Sequence, residues 1–159
     1  MASYLAGCRN AVVGRINGGT YAKTLTARSV YTDTVESAIN TTTVCDVMCR
    51  VVSTSEPDFQ ELPASRNKVR VLIPVEIVVA GAVAGKAATN LDGMLEVTEQ
   101  IRARLWHREA RELVSGGMSY KFVRAEINPI TEPTTIQERH YAIFSLTAYY
   151  VHERTRGGL

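Results

Sequence analysis

The 159-residue chain is poor in the features that usually announce chemistry. It has three cysteines, an odd number, with no paired spacing. Cys45 and Cys49 are four apart in a run that reads as a strand, so their Cα atoms should lie roughly 13 Å apart. A disulfide cannot span that distance, and the pattern suits a chain made in a reduced cytoplasm. Its three histidines, His107, His140 and His152, stand in separate contexts. His107 has Arg104 at i−3 and Arg111 at i+4, so no second ligand falls on its helical face, and a zinc site needs three or four. No long apolar run resembles a membrane span, and the first nineteen residues, interrupted by Arg9 and Arg15, do not read as a signal peptide. A net charge of +2 is too small to argue by itself for a nucleic-acid binder. Arg102, Arg104, Arg108 and Arg111 are interleaved with Glu99, Glu109 and Glu112, the pattern of a solvated, ion-paired face.

The one glycine-rich run, residues 81–87, follows a strand and carries Lys86. A phosphate loop needs two glycines five apart and then Lys followed by Ser or Thr. Gly81 and Gly85 are four apart and Ala87 follows the lysine, so the run reads as a connector. Asp92, Glu96 and Glu99 have no apolar pocket to raise a carboxyl pKa. The expectation is a non-enzymatic protein with no catalytic, cofactor-binding or metal-binding residues.

What is present is architectural. Val69, Val71, Ile73, Val75, Ile77 and Val79 alternate on one face, a strong strand signal over residues 68–80. Pro74 within it predicts an edge position or a bulge. Further strands are predicted at 20–32, 44–52, 119–128 and 138–152. A first helix is predicted at 3–16, where Leu5, Cys8, Val12 and Ile16 recur at helical spacing before Gly18-Gly19. Residues 33–40 read as a short helix or turn. The main helix starts at 89–92 with a side-chain cap. It carries the stripe Leu91, Met94, Leu95, Thr98, Ile101 and Leu105, bordered by Trp106, and is predicted to stop at Gly116-Gly117. Residues 53–67 and 129–137 are long, polar, proline-containing loops, suited to contacts.

The predicted fold class is α+β: a single domain over residues 1–153, followed by a polar tail at 154–159. Its mixed, mostly antiparallel sheet of about four to five strands is packed by one long helix and the N-terminal helix. The final strand is apolar on both faces. Ala142, Phe144, Leu146, Ala148 and Tyr150 form one face. Tyr141, Ile143, Tyr149 and Val151 on the other are candidates for a subunit interface, unless the first helix covers them within the chain. Arg66, Lys68 and Arg70 are candidate lumen or interface charges, or an ordinary solvated edge.

The chain resembles a family of small virion proteins of tailed bacteriophages, the neck and tail-completion group that includes tail terminators. The likeness spans about residues 21–153. It rests on the order and spacing of several runs: 26–31 (TARSVY), 47–52, 70–79, the helix 91–106, Asn128-Pro129-Ile130, and 144–150 (FSLTAYY). The resemblance implies a homo-oligomeric ring, usually hexameric, that joins the tail tube to the head connector with DNA passing through the lumen. The implied partners are other copies of the chain, the tail-tube protein, the connector or head-closure protein and DNA without sequence preference, with no membrane. The implied location is the virion, after synthesis in the host cytoplasm. A head-closure or adaptor protein of the same neck is the nearest alternative. A small-ligand-binding or enzymatic α+β domain is the alternative from another class.

Overall fold

The computed structural model describes residues 3–31, 38–52, 59–61 and 68–155. Helix α1 is Tyr4–Asn17. Ser3 caps it, its hydroxyl accepting from the Ala6 N–H at 3.2 Å, and the Gly18 N–H closes the last turn on the Gly14 carbonyl. Cys8, Val12 and Ile16, one turn apart, are fully buried, so the helix lies where its apolar spacing placed it.

Among the described residues eight strands form one sheet: β1 (Leu25–Ser29), β2 (Cys45–Val51), β3 (Phe59–Glu61), β4 (Lys68–Val83), β5 (Glu112–Ser115), β6 (Met118–Ile127), β7 (Thr134–Ile136) and β8 (Arg139–Thr155). The order is β1-β2-β4-β8-β6-β5, with β3 pairing β4 and β7 pairing β8. β1 runs parallel to β2 and every other pairing is antiparallel. The sheet curls into a half-barrel. Helix α1 touches both β1 and β5, the strands at opposite ends of the order, because the curl brings those ends round to it. Helix α2, Ala88–Trp106, packs on the same concave side against β6, β8 and β4. The expected mixed, mostly antiparallel sheet of about four to five strands is therefore corrected to a larger one, curled into a half-barrel. The short strands β3, β5 and β7 are too brief to leave a periodic signal, and β3 and β7 lie inside segments read as loops.

Two local corrections have clear causes. The main helix ends at Trp106, followed by a 3₁₀ turn at Arg108–Ala110 and then β5. Gly116 and Gly117 have φ of +59° and +79°. They form the two-residue turn that joins β5 to β6, whose central positions both need positive φ. The same Gly-Gly pair that suggests a helix stop thus serves a hairpin, and Arg108 and Arg111 lie beyond the helix. At its other end α2 has Ala87 as N-cap, with no side-chain hydrogen bond; the predicted cap at 89–92 lies inside the helix.

Pro74 sits in a strand flanked on both sides, β2 and β3 on one and β8 on the other, not at a sheet edge. Its missing N–H is nonetheless harmless. β2 pairs β4 only as far as Val51↔Val75, and β3 starts at Phe59↔Val71. Pro74 falls in the gap between them, its carbonyl taking the Val52 N–H at 3.1 Å. A bulge does occur, but in β6, where the register shifts between Phe122 and Arg124.

The core fills the concave side. Val71, Ile73, Val75, Ile77 and Val79 of β4 meet Cys45, Val47 and Cys49 of β2 and Phe144, Leu146, Ala148 and Tyr150 of β8. Met94, Val97, Ile101 and Leu105 of α2 close over them. The two helices are also bolted end to end. The Arg15 guanidinium donates to the Arg104 carbonyl at 3.2 Å, and Arg104 Nε donates to the Arg15 carbonyl at 2.7 Å. Each arginine thus satisfies a carbonyl in the other helix's last turn.

Candidate assembly surface

The face of the sheet away from the helices carries the second side of every strand. Helices α1 and α2 both pack on the concave side, so α1 does not cover the second face of β8. Among the described residues, cover comes from elsewhere in the chain, at one end of the face. Met48, Val78 and Ala80 form a small buried cluster under Val30, Ala38 and Ile39, with Ile143 packed beside them. A polar clamp holds that cover down. Asp46, 3% exposed, accepts from Arg28 Nε at 3.0 Å, from Arg28 Nη2 at 2.8 Å and from the Asn40 N–H at 2.8 Å. Arg28 also donates to the Ala38 carbonyl, and its pKa is raised, chiefly by the hydrogen bond to Asp46.

The four interface candidates fare differently. Tyr141 is buried within the chain, and Ile143 is half-buried against the cluster. Tyr149 is half-buried and lies under the Arg124 guanidinium, 4.1 Å from the ring centroid. Val151 is half-buried opposite Leu72. Ile143, Tyr149 and Val151 share the open face, which is patterned rather than broadly apolar: Arg50 pairs with Glu76 at 2.8 Å and Arg124 with Glu126 at 3.2 Å.

Of the lumen candidates, Arg66 lies outside the described residues. Lys68 opens β4 opposite Thr155. Arg70 is half-exposed and lies 3.8 Å from the Glu153 carboxylate across the β4–β8 ladder. The loop at 53–67 is described only at β3; of the short helix or turn expected at 33–40, residues 33–37 lie outside the described residues and Ala38 is helical. Of the tail expected at 154–159, Arg154 and Thr155 are paired in β8.

One surface feature was not singled out from the sequence. Trp106, at the last turn of α2, is 52% exposed, and Val123, the bulged residue of β6, is 44% exposed. With Arg111, Glu112, Lys121 and Phe122 they line an open depression of about 460 Å³. Trp106 is held in place by Phe122, whose ring is 5.9 Å away, and by the Arg102 guanidinium at 4.8 Å from its own ring. The sequence signal available was a tryptophan at the border of the helical stripe. The bulge that turns Val123 outward leaves no mark in the pattern.

The three thiols are buried in the core. Cys8, Cys45 and Cys49 are free and buried, and burial pushes each thiol up to about 12. Thiols so far from ionising are poor nucleophiles at neutral pH. His152 stacks on Tyr4 at 5.5 Å, with its Nδ1 3.0 Å from the Ser119 carbonyl. His107 caps the 3₁₀ turn by accepting the Glu109 N–H. Among the described residues no group of three or more His, Cys, Asp or Glu converges as a metal site would require, and no helix is long and apolar enough to cross a membrane.

No protein-family model and no curated protein matches the chain. One solved structure, whose designation carries no functional description, aligns over 95% of this chain and 96% of its own at 17% identity, with a TM-score of 0.43.

Proposed function

We propose that the protein is a structural subunit of a bacteriophage neck, a tail-terminator or tail-completion component that forms a ring between tail tube and head connector and resides in the virion. The observation that carries this reading is the placing of its exposed apolar side chains. Trp106, Val114 and Val123 are exposed at the β5–β6 end of the sheet, and Tyr31 and Val44 at the β1–β2 end. Exposed apolar side chains on both edges of the sheet, unlike one another, suit a head-to-tail contact between copies, which closes into a ring when the rotation allows. The sequence resemblance supports the same reading and supplies the tube, connector and transiting DNA as partners.

DNA passing through such a ring meets a surface without a strong grip if its arginines face carboxylates, as Arg50, Arg70 and Arg124 do. The test is native mass spectrometry of the purified chain, together with immuno-electron microscopy of particles. A closed oligomer and labelling at the head–tail junction are expected. A chain that stays monomeric and is absent from particles would overturn the reading.

A further inference from the structure

The Trp106 depression is built to receive something. Its floor is aromatic and pre-positioned, and its rim is more cationic than anionic. Arg102, Arg111 and Lys121 stand around the depression and the shallower one beside it, against Glu99 and Glu112. Glu112 is already engaged by the Ser119 hydroxyl. A half-exposed tryptophan ringed by polar side chains is the usual form of an interface anchor.

The chain also carries a segment of the opposite character. Residues 128–138, the arm between β6 and β8, contain Glu132 and Glu138 and no Lys or Arg. Ile130 on this arm is 53% exposed. The arm is anchored by β7, which pairs with β8, and its tip is the two-residue turn Gln137-Glu138. Both tip residues hold positive φ, +50° and +64°, where glycine or asparagine would be at ease. A non-glycine pair in that conformation is strained, and such strain is kept where the side chains are needed.

We propose that the arm of one copy docks on the Trp106 depression of the next. Ile130 would lie against Trp106 and Val123, and Glu132 and Glu138 would face Lys121 and Arg111. Charge complementarity selects this occupant: a net-negative arm that exposes Ile130 meets a net-positive aromatic floor. The contact is heterologous, because arm and depression are different surfaces of the same chain. The inference rests on the ring reading and specifies which surfaces meet.

Charge reversal tests it on the full chain by sedimentation velocity over a concentration series. Lys121→Glu and Glu132→Lys should each weaken self-association at least tenfold, and the double reversal should restore most of it. Trp106→Ala should weaken association while leaving the thermal midpoint nearly unchanged, since the ring is half in solvent. Glu138→Gly should raise the thermal midpoint by relieving the backbone and still weaken association, a pairing of effects that a purely structural turn would not show. Oligomers that form normally in both single reversals would remove this contact and leave the ring reading standing. Reversals that spare self-association but abolish attachment to tails would assign the depression to another protein and overturn the proposal. A wild-type chain that never associates would remove both.

Discussion

Asp46 is the residue on which most of the open face's local order converges. It is buried, takes two hydrogen bonds from Arg28 and one from a main-chain N–H, and secures the cover that Val30, Ala38 and Ile39 place over Met48, Val78 and Ala80. Removing it leaves that N–H and a guanidinium without their acceptor, a loss of about 1–3 kcal/mol. Asp46→Ala should lower the urea midpoint accordingly and expose Met48 to oxidation by peroxide. An unchanged midpoint would show that the clamp contributes nothing. The cysteines set a second expectation at this scale. Each thiol is raised from 9.0 to about 12 by burial. Between those values the folded chain holds protons that the unfolded chain has released, so stability is full below pH 9 and falls as pH rises toward 12. Urea titrations across that window should show the fall, and Cys8→Ala should make it shallower. Stability that rose with pH through the same window would contradict the burial of these thiols.

Among the elements, the β5–β6 hairpin turns on two glycines whose added Cβ atoms would meet nothing within 4 Å. Any cost of substitution there is backbone strain alone. Gly117→Ala should destabilise by about 1 kcal/mol, and Gly116→Asn should be nearly neutral, because asparagine tolerates the left-handed region. Equal and large losses in both would mean that the turn is packed against something else. Gly81 is the contrasting case. It lies within β4, and a Cβ there would come within 2.8 Å of Met94 Sδ and 2.9 Å of the Val44 carbonyl. Gly81→Ala should therefore cost more, about 1–3 kcal/mol, by pushing α2 off the sheet. The same urea measurements rank the three substitutions.

At the scale of the whole molecule, the open face and its arms decide what the chain can join. Residues 129–137 should be cut by trypsin-independent proteases such as thermolysin in the isolated subunit and protected in the assembled particle. Equal protection in both states would count against the arm as a contact. Ile143→Glu now carries a different expectation from that of a bare interface residue. Ile143 packs beside Met48, Val78 and Ala80, so the charge should cost about 1–3 kcal/mol of fold stability as well as any effect on assembly. Thermal midpoint and sedimentation measured on the same variant separate the two.

Local periodicity was legible wherever one segment writes its own face. Cys8, Val12 and Ile16 marked α1, Cys45, Val47 and Cys49 marked the inner face of β2, and the valine alternation marked β4. Side-chain spacing along a single element needs no partner to be read, because the backbone period alone places those residues together. Pairing was not legible. That β1 runs parallel to β2, that Gly116-Gly117 turns a hairpin instead of ending a helix, and that Pro74 occupies a gap between two partner strands all depend on residues far apart in sequence. So did the number of strands, since three-residue strands exist only by virtue of the long neighbour they pair with. The candidate surface divides the same way: the two-faced character of β8 was visible, while the burial of Tyr141 and the outward turn of Trp106 and Val123 were not. Residue type and spacing set which side chains seek burial. Only the curl of the sheet around α1 decided which of them found it.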